Sequence, residues 1–411
     1  MICINFIWCA DLDNGATNHT AMPAFNAHHS PHPFPIAPRR RTVLQLAAAG
    51  VAAHVGLAAH AQTSTGRVIR IGTTFDNSGV EKPNGSGMFM GSSAFVAALN
   101  KAGGIHGSKL ELVMKDDGFK PDVAKANALA FAADPSVLAL LHPLGTRQSA
   151  EVIDAVPGLA VVGPNTGTVS LRKKGSPNVF WARANYDQEI GHLVRQAAGS
   201  GQKRIGLVHP KDPLGASLLA GFQAAMALHK LDPKVIATTP GTVSLEVGPA
   251  AQQIAEAKPD IVIVGLAGTA GPFVKALHAA GGNAMLYGIS ISAGSIFAMG
   301  DQARGVGFSI GVPSPFSRRT AIARRYQDDM RAAGHKDFSL ASIEGYIDAM
   351  VLAEGLRRAG PAPTRAAVIA GLERIDDWDA GGLRFNFGRP HHEGCEFVDV
   401  GVVGANGQLL T

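Results

Sequence analysis

The chain has 411 residues, a formal net charge of +5 and three cysteines. Its basic residues are scattered and form no dense run interleaved with aromatic side chains, which argues against a nucleic-acid partner. Its length exceeds that of a typical single core, and two domains are therefore expected.

An export signal is predicted ahead of the folded body. Residues 38–45 carry three consecutive arginines, an uncharged alanine-rich run follows at 46–59, and Ala-His-Ala at 59–61 has the small-x-small form of a cleavage site. This order is typical of a secretory signal, and its Arg-Arg-x-x-Leu arrangement resembles a twin-arginine signal. We expect residues 1–61 to be removed and the mature protein to lie in the periplasm.

The mature chain is expected to contain neither a disulfide nor a membrane span. Cys3 and Cys9 lie upstream of the predicted cleavage site, which leaves Cys395 as a lone thiol. An oxidising compartment permits disulfides but does not require them in a domain with a large core. After Gln62 the sequence has no run of about 18 apolar residues, the length that a membrane-spanning helix needs.

Predicted strands and helices alternate along the first half of the body. Strands are predicted at 68–75, 110–114, 137–141 and 159–162, and helices at 92–102, 121–133 and 147–156. Alternation of this kind predicts a parallel sheet with helices on both faces.

A second alternating series begins near residue 187. Strands are predicted at 204–208, 235–238, 261–264, 285–287 and 306–312, with helices at 216–229, 250–257 and 273–280. Two long helices follow at 318–333 and 339–359, and the end of the chain is predicted to be β at 383–387 and 396–403. The fold class is therefore α/β, with two doubly wound lobes.

The predicted lobes are connected by three crossings of the chain, at 179–186, 308–314 and 396–403, which form a three-strand hinge. Lobe 1 is assigned to residues 66–185 plus 313–390, and lobe 2 to residues 186–312 plus 391–411. Ligands of open α/β sheets lie at the carboxyl ends of the strands. Two such lobes facing each other form one cleft, which can close on a solute by hinge motion.

Several motifs in this order resemble those of a known family. Residues 100–107 match its N-x-x-G-G-I-x-G element, residues 203–208 match the start of its second lobe, and Ser-Ile-Glu-Gly-Tyr at 342–346 opens its long helix. The chain is similar to type I periplasmic binding proteins over nearly all of 67–411. The resemblance is strongest to the leucine/isoleucine/valine-binding branch, which supplies ABC importers.

The resemblance implies that the solute is held by loops after the strands. The implied contacts of the first lobe are Leu144, Gly145, Thr146, Asn165, Thr166 and Gly167, with Asn77 and Phe89 in an overhanging loop at 76–89. Hydroxyls and backbone N–H groups at helix N-termini can hold a carboxylate there. Thr146 and Thr166 are the main candidates.

The second lobe departs from the amino-acid-binding pattern. The resemblance implies contacts at Leu214, Ala267 and Ser290, where relatives that bind amino acids have an aromatic residue, a tyrosine and a glutamate. That glutamate neutralises the ammonium group of the ligand, and a buried cation without it is costly. We therefore expect an acid that lacks an amino group.

Three other motifs are assigned structural roles rather than binding or catalytic ones. The G-x-x-G-x-x-G run at 265–271 lacks dinucleotide-binding spacing and is assigned to a tight turn. His391, His392 and Glu393 are assigned to a surface turn rather than a metal site, and Cys395 to a half-buried core position. Arg172-Lys173-Lys174 is assigned to a solvated face, with contact to a permease as the alternative.

No catalytic constellation is predicted, because no candidate nucleophile is accompanied by a base and an orienting partner, and no cofactor or metal is expected. We interpret the chain as a monomeric periplasmic component that binds a small organic solute, carboxylate or amino-acid-like, and delivers it to an ABC permease in the inner membrane. One alternative is a sensor component that presents the solute to a receptor. Another is an exported, cofactor-dependent α/β enzyme.

Overall fold

Two separate β-sheets form the framework of the protein in the computed structural model, which describes residues 67–405, 407 and 409–411. The strands of the first sheet are β1 (Val68–Phe75), β2 (Lys109–Asp116), β3 (Val137–Leu141), β4 (Ala160–Val162) and β5 (Val179–Phe180). Their spatial order is β2-β1-β3-β4-β5, and all neighbouring pairs are parallel. The inner strands β3 and β4 are short, fully buried apolar runs, as expected where helices cover both faces of a sheet.

The second sheet is mixed. Its strands are β6 (Ile205–Pro210), β7 (Val235–Thr239), β8 (Ile261–Val264), β9 (Met285–Gly288) and β10 (Gly307–Ile310), and, after a separate hairpin of β11 (Trp378–Asp379) and β12 (Arg384–Phe385), β13 (Asp399–Val403) and β14 (Leu409–Leu410). The spatial order is β14-β13-β10-β9-β8-β6-β7. Antiparallel pairing enters where β13 joins β10 and β14. The two sheets confirm the predicted α/β class.

Twelve α-helices occur in the described part of the chain. They are α1 (Lys82–Lys101), α2 (Pro121–Ala133), α3 (Thr146–Ala155), α4 (Val169–Lys173), α5 (Tyr186–Gly199), α6 (Pro213–Leu228), α7 (Gly248–Ala257), α8 (Ala270–Ala279), α9 (Ala293–Phe297), α10 (Ala321–Ala332), α11 (Leu340–Ala359) and α12 (Arg365–Glu373). The last three return to the first sheet, because α11 and α12 pack on β3 and β4 while α10 packs on α1.

The chain passes between the two sheets three times in the described part. The passages follow β5, follow β10 and precede β13. The first two coincide with the predicted crossings at 179–186 and 308–314. The third begins upstream of the predicted 396–403, because β13 already belongs to the second sheet. These passages leave the carboxyl ends of the parallel strands free to face the opposite sheet.

Helix α1 begins at Lys82, ten residues before the predicted start at 92, so the predicted loop at 76–89 is wrong over most of its length. Glycines in this segment lower the helix propensity, but they allow a close approach to α11. A Cβ on Gly91 would lie 1.7 Å from the backbone oxygen of Ser342, and one on Gly345 would lie 2.0 Å from that of Met88. Helices α4, α5, α9 and α12 were not predicted from the sequence pattern.

The predicted signal at 1–61 lies outside the described residues. Within those residues, none of the helices combines the length and the apolar composition required to cross a bilayer.

Candidate functional site

Loops that follow the strands of both sheets line two adjoining cavities. The first cavity has a volume of about 240 Å³ and the second about 330 Å³. Asn84, Asn165 and Ile291 line both cavities, which therefore adjoin. Their position at the carboxyl ends of parallel strands is where open α/β sheets bind ligands.

Six of the residues implied by the resemblance line the first cavity, and they come from both sheets. From the loops and helix starts after β3, β4, β6 and β8 they are Leu144, Gly145, Thr146, Asn165, Leu214 and Ala267. Ser290, which follows β9, lines the second cavity together with Asn165. The structure thus brings seven of the eleven residues to the two cavities.

The other four residues line neither cavity, each because of its packing. Asn77 lies in the loop before α1, where its side chain accepts a hydrogen bond from the Ser86 hydroxyl. The Phe89 ring packs on the Phe75 ring at a centroid distance of 5.6 Å. Gly167 faces the Tyr186 ring, 2.5 Å from where a Cβ would lie. The fourth, Thr166, is fully buried behind Thr146.

Three threonine hydroxyls form a closed triangle behind the first cavity. The Oγ1 atom of Thr146 lies 2.9 Å from those of Thr166 and Thr168, which are themselves 3.0 Å apart. Thr166 and Thr168 are both fully buried, whereas Thr146 is partly exposed to the cavity. Thr166 does not line the cavity itself. Its hydroxyl positions the hydroxyl of Thr146, which does.

The N-terminus of α3 also faces the first cavity. Helix α3 starts at Thr146 and has no side-chain cap, because its N-cap residue is Gly145. Gly145 has a φ of 98°, and a Cβ there would lie 2.4 Å from the Gln148 side chain, so this turn requires glycine. Uncapped N–H groups and the positive end of the helix dipole favour an anion at this position.

Replacing Thr166 with valine is expected to lower the free energy of unfolding by about 1–2 kcal/mol, because the buried Thr168 hydroxyl and the partly exposed Thr146 hydroxyl each lose a partner while the side-chain shape is kept. Chemical denaturation measures this change. The matched control is Thr239→Val, since the buried Thr239 hydroxyl has no hydrogen-bond partner among the described residues. An equal loss in both variants would contradict the structural role of the triangle.

Glu81 connects the loops of the two sheets across the first cavity. It precedes α1, and its carboxylate accepts hydrogen bonds from the Gly268 N–H at 2.5 Å and from the Asn84 side chain at 2.7 Å. Gly268 follows β8, and a Cβ on it would lie 2.8 Å from the Glu81 carboxylate. Burial raises the pKa of Glu81 above its usual value. The sequence pattern missed this residue because it predicted no helix start here.

The turn at 265–271 follows β8 and opens α8, as predicted. The central glycine of this turn, Gly268, is required because its backbone lies close to the Glu81 carboxylate and leaves no room for a side chain.

Arg183 is the centre of a buried ion cluster beside the second cavity. It donates to Glu189 at 2.7 Å, to Glu344 at 3.1 Å and to the Ser290 hydroxyl. Glu189 is fully buried and also accepts hydrogen bonds from the Ser290 N–H and from Ser309. The cluster joins α5, α11 and the loop after β9, so it links elements that pack on both sheets.

A further buried carboxyl group, that of Asp348, lies near the ion cluster. Asp348 follows Glu344 by one turn of α11, is 2% exposed, and has one oxygen without a hydrogen-bond partner among the described residues. Burial, reinforced by the Glu344 charge, raises the pKa of Asp348 well above its usual value.

The prediction of a solvated face for residues 172–174 is wrong for Arg172. Lys173 and Lys174 are exposed, but Arg172 is 1% exposed. Its guanidinium donates to the backbone oxygens of Arg183 and Ala184 at 3.1 Å. Burial lowers the pKa of Arg172 to about 10. The short helix α4 turns the first of the three basic residues inward, which composition does not reveal.

The segment at 391–395 is partly tied to the core. The His392 ring stacks on Phe180 at a centroid distance of 4.6 Å, whereas His391 is exposed. Cys395 is 2% exposed and thus fully buried rather than half-buried as predicted. Within the described residues, no group of three or more His, Cys, Asp or Glu side chains is arranged to hold a metal ion.

Two α/β sheets with cavities between the ends of their strands are typical of proteins that bind a small solute. The sequence profile of the periplasmic binding protein family matches residues 68–408, and the chain therefore belongs to this family. The family and its structural relatives are solute-binding proteins, not enzymes. The predicted resemblance is thus confirmed.

The sequence identities to individual relatives are below 30%. The chain is 26% identical over 203 residues to an amino acid binding protein of Pseudomonas aeruginosa, covering 48% of this chain and 51% of that protein. It is 26% identical to the Leu/Ile/Val-binding protein BraC3 of Rhizobium johnstonii, covering 69% and 77%. The crystal structure of a substrate-binding periplasmic protein from Ralstonia solanacearum has 29% identity and a TM-score of 0.76, covering 83% and 99%. The chain therefore spans about half the length of the first of these relatives.

Proposed function

We propose that this protein is the periplasmic substrate-binding component of an ABC importer and holds a small organic acid in the first cavity. The observation that carries the proposal is the meeting of Thr146 and the uncapped α3 N-terminus with loops of the second sheet around this cavity. The proposed lobes are residues 66–185 plus 313–390 and residues 186–312 plus 391–411. The three passages between them serve as the hinge.

The lining of the first cavity suits a carboxylate joined to an apolar group. Arg147 and Lys211 line it and supply positive charge in addition to the α3 N-terminus. Phe119, Leu144 and Leu214 supply apolar surface. Favourable contacts of one solute with both lobes stabilise the closed form over the open form, which is the condition for ligand-driven closure.

The carboxylates in the first cavity are already hydrogen-bonded to the protein. Asp212 caps α6 and accepts from the N–H groups of Gly215 and Thr242 at 3.1 and 2.9 Å. Glu81 accepts from Gly268 and Asn84. These bonds support a solute without an ammonium group. A second candidate class is amino acids, which the names of two relatives favour and for which Glu81 supplies the one buried, acidic counter-charge in the described lining.

A thermal-shift screen tests the proposed function and separates the two classes. We expect 4-methylpentanoate, or another simple acid in a panel, to raise the melting temperature, while leucine, its analogue with an amino group, has no effect. A ligand at 100 times its Kd stabilises the native state by about 2.7 kcal/mol, which the screen detects. A panel of acids, amino acids and amides without any shift would contradict the proposal. Uptake of the active solute by cells lacking the gene tests the link to import.

A further inference from the structure

We propose that the second cavity receives the apolar tail of the solute, so that the protein selects elongated amphipathic carboxylic acids. The carboxylate lies in the first cavity and the tail passes Asn165 and Ile291, which line both cavities. This inference rests on the proposed function and names the class of solute more narrowly.

The walls of the second cavity are mainly apolar and come from four parts of the chain. Met88 comes from α1, Phe297 from α9, Ile310 from β10, and Phe316 from the passage that follows β10. The rings of Phe297 and Phe316 are 6.5 Å apart between centroids. Such walls favour a hydrocarbon or aromatic group, because apolar surface gains free energy when it leaves water.

The charged groups of the second cavity are paired with each other, although the buried Nε of Arg183 has no hydrogen-bond partner among the described residues. Arg183 donates to both Glu189 and Glu344, so its two terminal nitrogens are engaged. A solute carboxylate there would compete with two existing carboxylates for one guanidinium. The acidic head is therefore better placed in the first cavity, and the second cavity is left for the tail.

Gly311 keeps the second cavity open. It is buried in the passage after β10 and lines the cavity, yet a Cβ on it would have no atom nearer than 3.9 Å. Buried glycines of the second sheet differ, since a Cβ on Gly307 would lie 2.4 Å from the Tyr287 ring. Gly311 also has no positive φ that would exclude a side chain. A larger residue at 311 would therefore enter the free space without disturbing the backbone.

Calorimetry with straight-chain acids from propanoate to decanoate tests the inference. In the unmodified protein, affinity is expected to rise about fourfold per methylene as the tail fills the second cavity. In Gly311→Leu, decanoate is expected to bind at least tenfold more weakly, while propanoate stays within twofold. The matched control is Gly199→Leu at the exposed end of α5, where a Cβ would meet no atom within 4 Å.

The outcomes separate the two proposals. Binding of short acids with an affinity that does not depend on chain length would overturn the tail cavity and leave the proposed function standing. Failure of every acid to bind would overturn both. Equal weakening of decanoate in Gly311→Leu and Gly199→Leu would overturn the role of Gly311. The chain-length series in the unmodified protein tests the cavity even where a variant does not fold.

Discussion

Replacing Arg183 with methionine is expected to lower the free energy of unfolding by about 3–5 kcal/mol. The reason is electrostatic, because Glu189 is fully buried and Glu344 is largely buried, and both lose their cation. A buried carboxylate without a counter-charge must either pay its desolvation or take up a proton. Urea denaturation at neutral pH measures the loss.

Two further variants separate charge from packing. Arg204→Met is the matched control, because the Arg204–Asp260 pair is 3.9 Å long and both side chains are more than a third exposed, so its loss is expected to cost no more than about 0.5 kcal/mol. Adding Glu189→Gln to Arg183→Met removes one uncompensated charge and is expected to recover at least about 1 kcal/mol. No recovery in the double variant would show that lost packing, and not charge, explains the effect.

The second large effect concerns His142, which follows β3 and lies directly before the loop that lines the first cavity. Its ring is fully buried between the hydroxyls of Thr73 and Ser92, at 3.4 and 3.3 Å. Burial lowers the pKa of His142 from 6.5 to about 4. Between about pH 6.5 and pH 4, His142 is protonated in the unfolded chain but neutral in the folded protein. His142 therefore removes stability as the pH falls from about 6.5 to about 4, by about 3 kcal/mol in total.

Asp117 acts in the opposite direction over part of the same range. Burial raises the pKa of Asp117 from 3.8 to about 6, so the folded protein binds a proton there before the unfolded chain does. Its contribution to stability is greatest at low pH and is lost as the pH rises from about 4 to about 6. The two groups offset each other, and the unmodified protein is expected to show a shallow pH dependence between these values.

Single variants should expose each contribution. In Asp117→Asn, the free energy of unfolding is expected to fall more steeply from pH 7 to pH 4 than in the unmodified protein, because Asp117 no longer offsets His142. In His142→Asn, it is expected to rise over the same range, and asparagine suits the left-handed backbone at this position, where φ is 38°. The control is His229→Asn at an exposed site. Parallel pH profiles for all three variants and the unmodified protein would refute the assignment.

The sequence pattern predicted most strands of both sheets because each is a short apolar run between turn residues. The bounds of β1, β3, β8 and α2 agree with the predicted ranges. The helix start at Lys82 was missed, since its glycines serve a contact with α11 more than two hundred residues away in the chain. Local propensity carries no information about such a contact.

Part of the candidate site was predictable, because several of its residues directly follow predicted strands. Residues such as Thr146 and Leu214 follow strands that were themselves predicted, and their loops must face the cleft in any doubly wound sheet. Glu81 and Arg183 were missed, because each acts through a partner far along the chain. Thr166 lies on a predicted loop, yet only its full burial shows that it supports Thr146 from behind.

By itself, the sequence determined the α/β class, the order of the strands along the chain and the membership of the periplasmic binding protein family. Apolar runs and turn residues are local features of the sequence, and they can be recognised without knowledge of the tertiary structure. Only the tertiary structure decided that Arg172 is buried, that Glu81 meets Gly268 and that a second cavity adjoins the first. These features depend on distances between residues that are far apart in the chain, 187 positions for Glu81 and Gly268, and packing of the two sheets sets those distances.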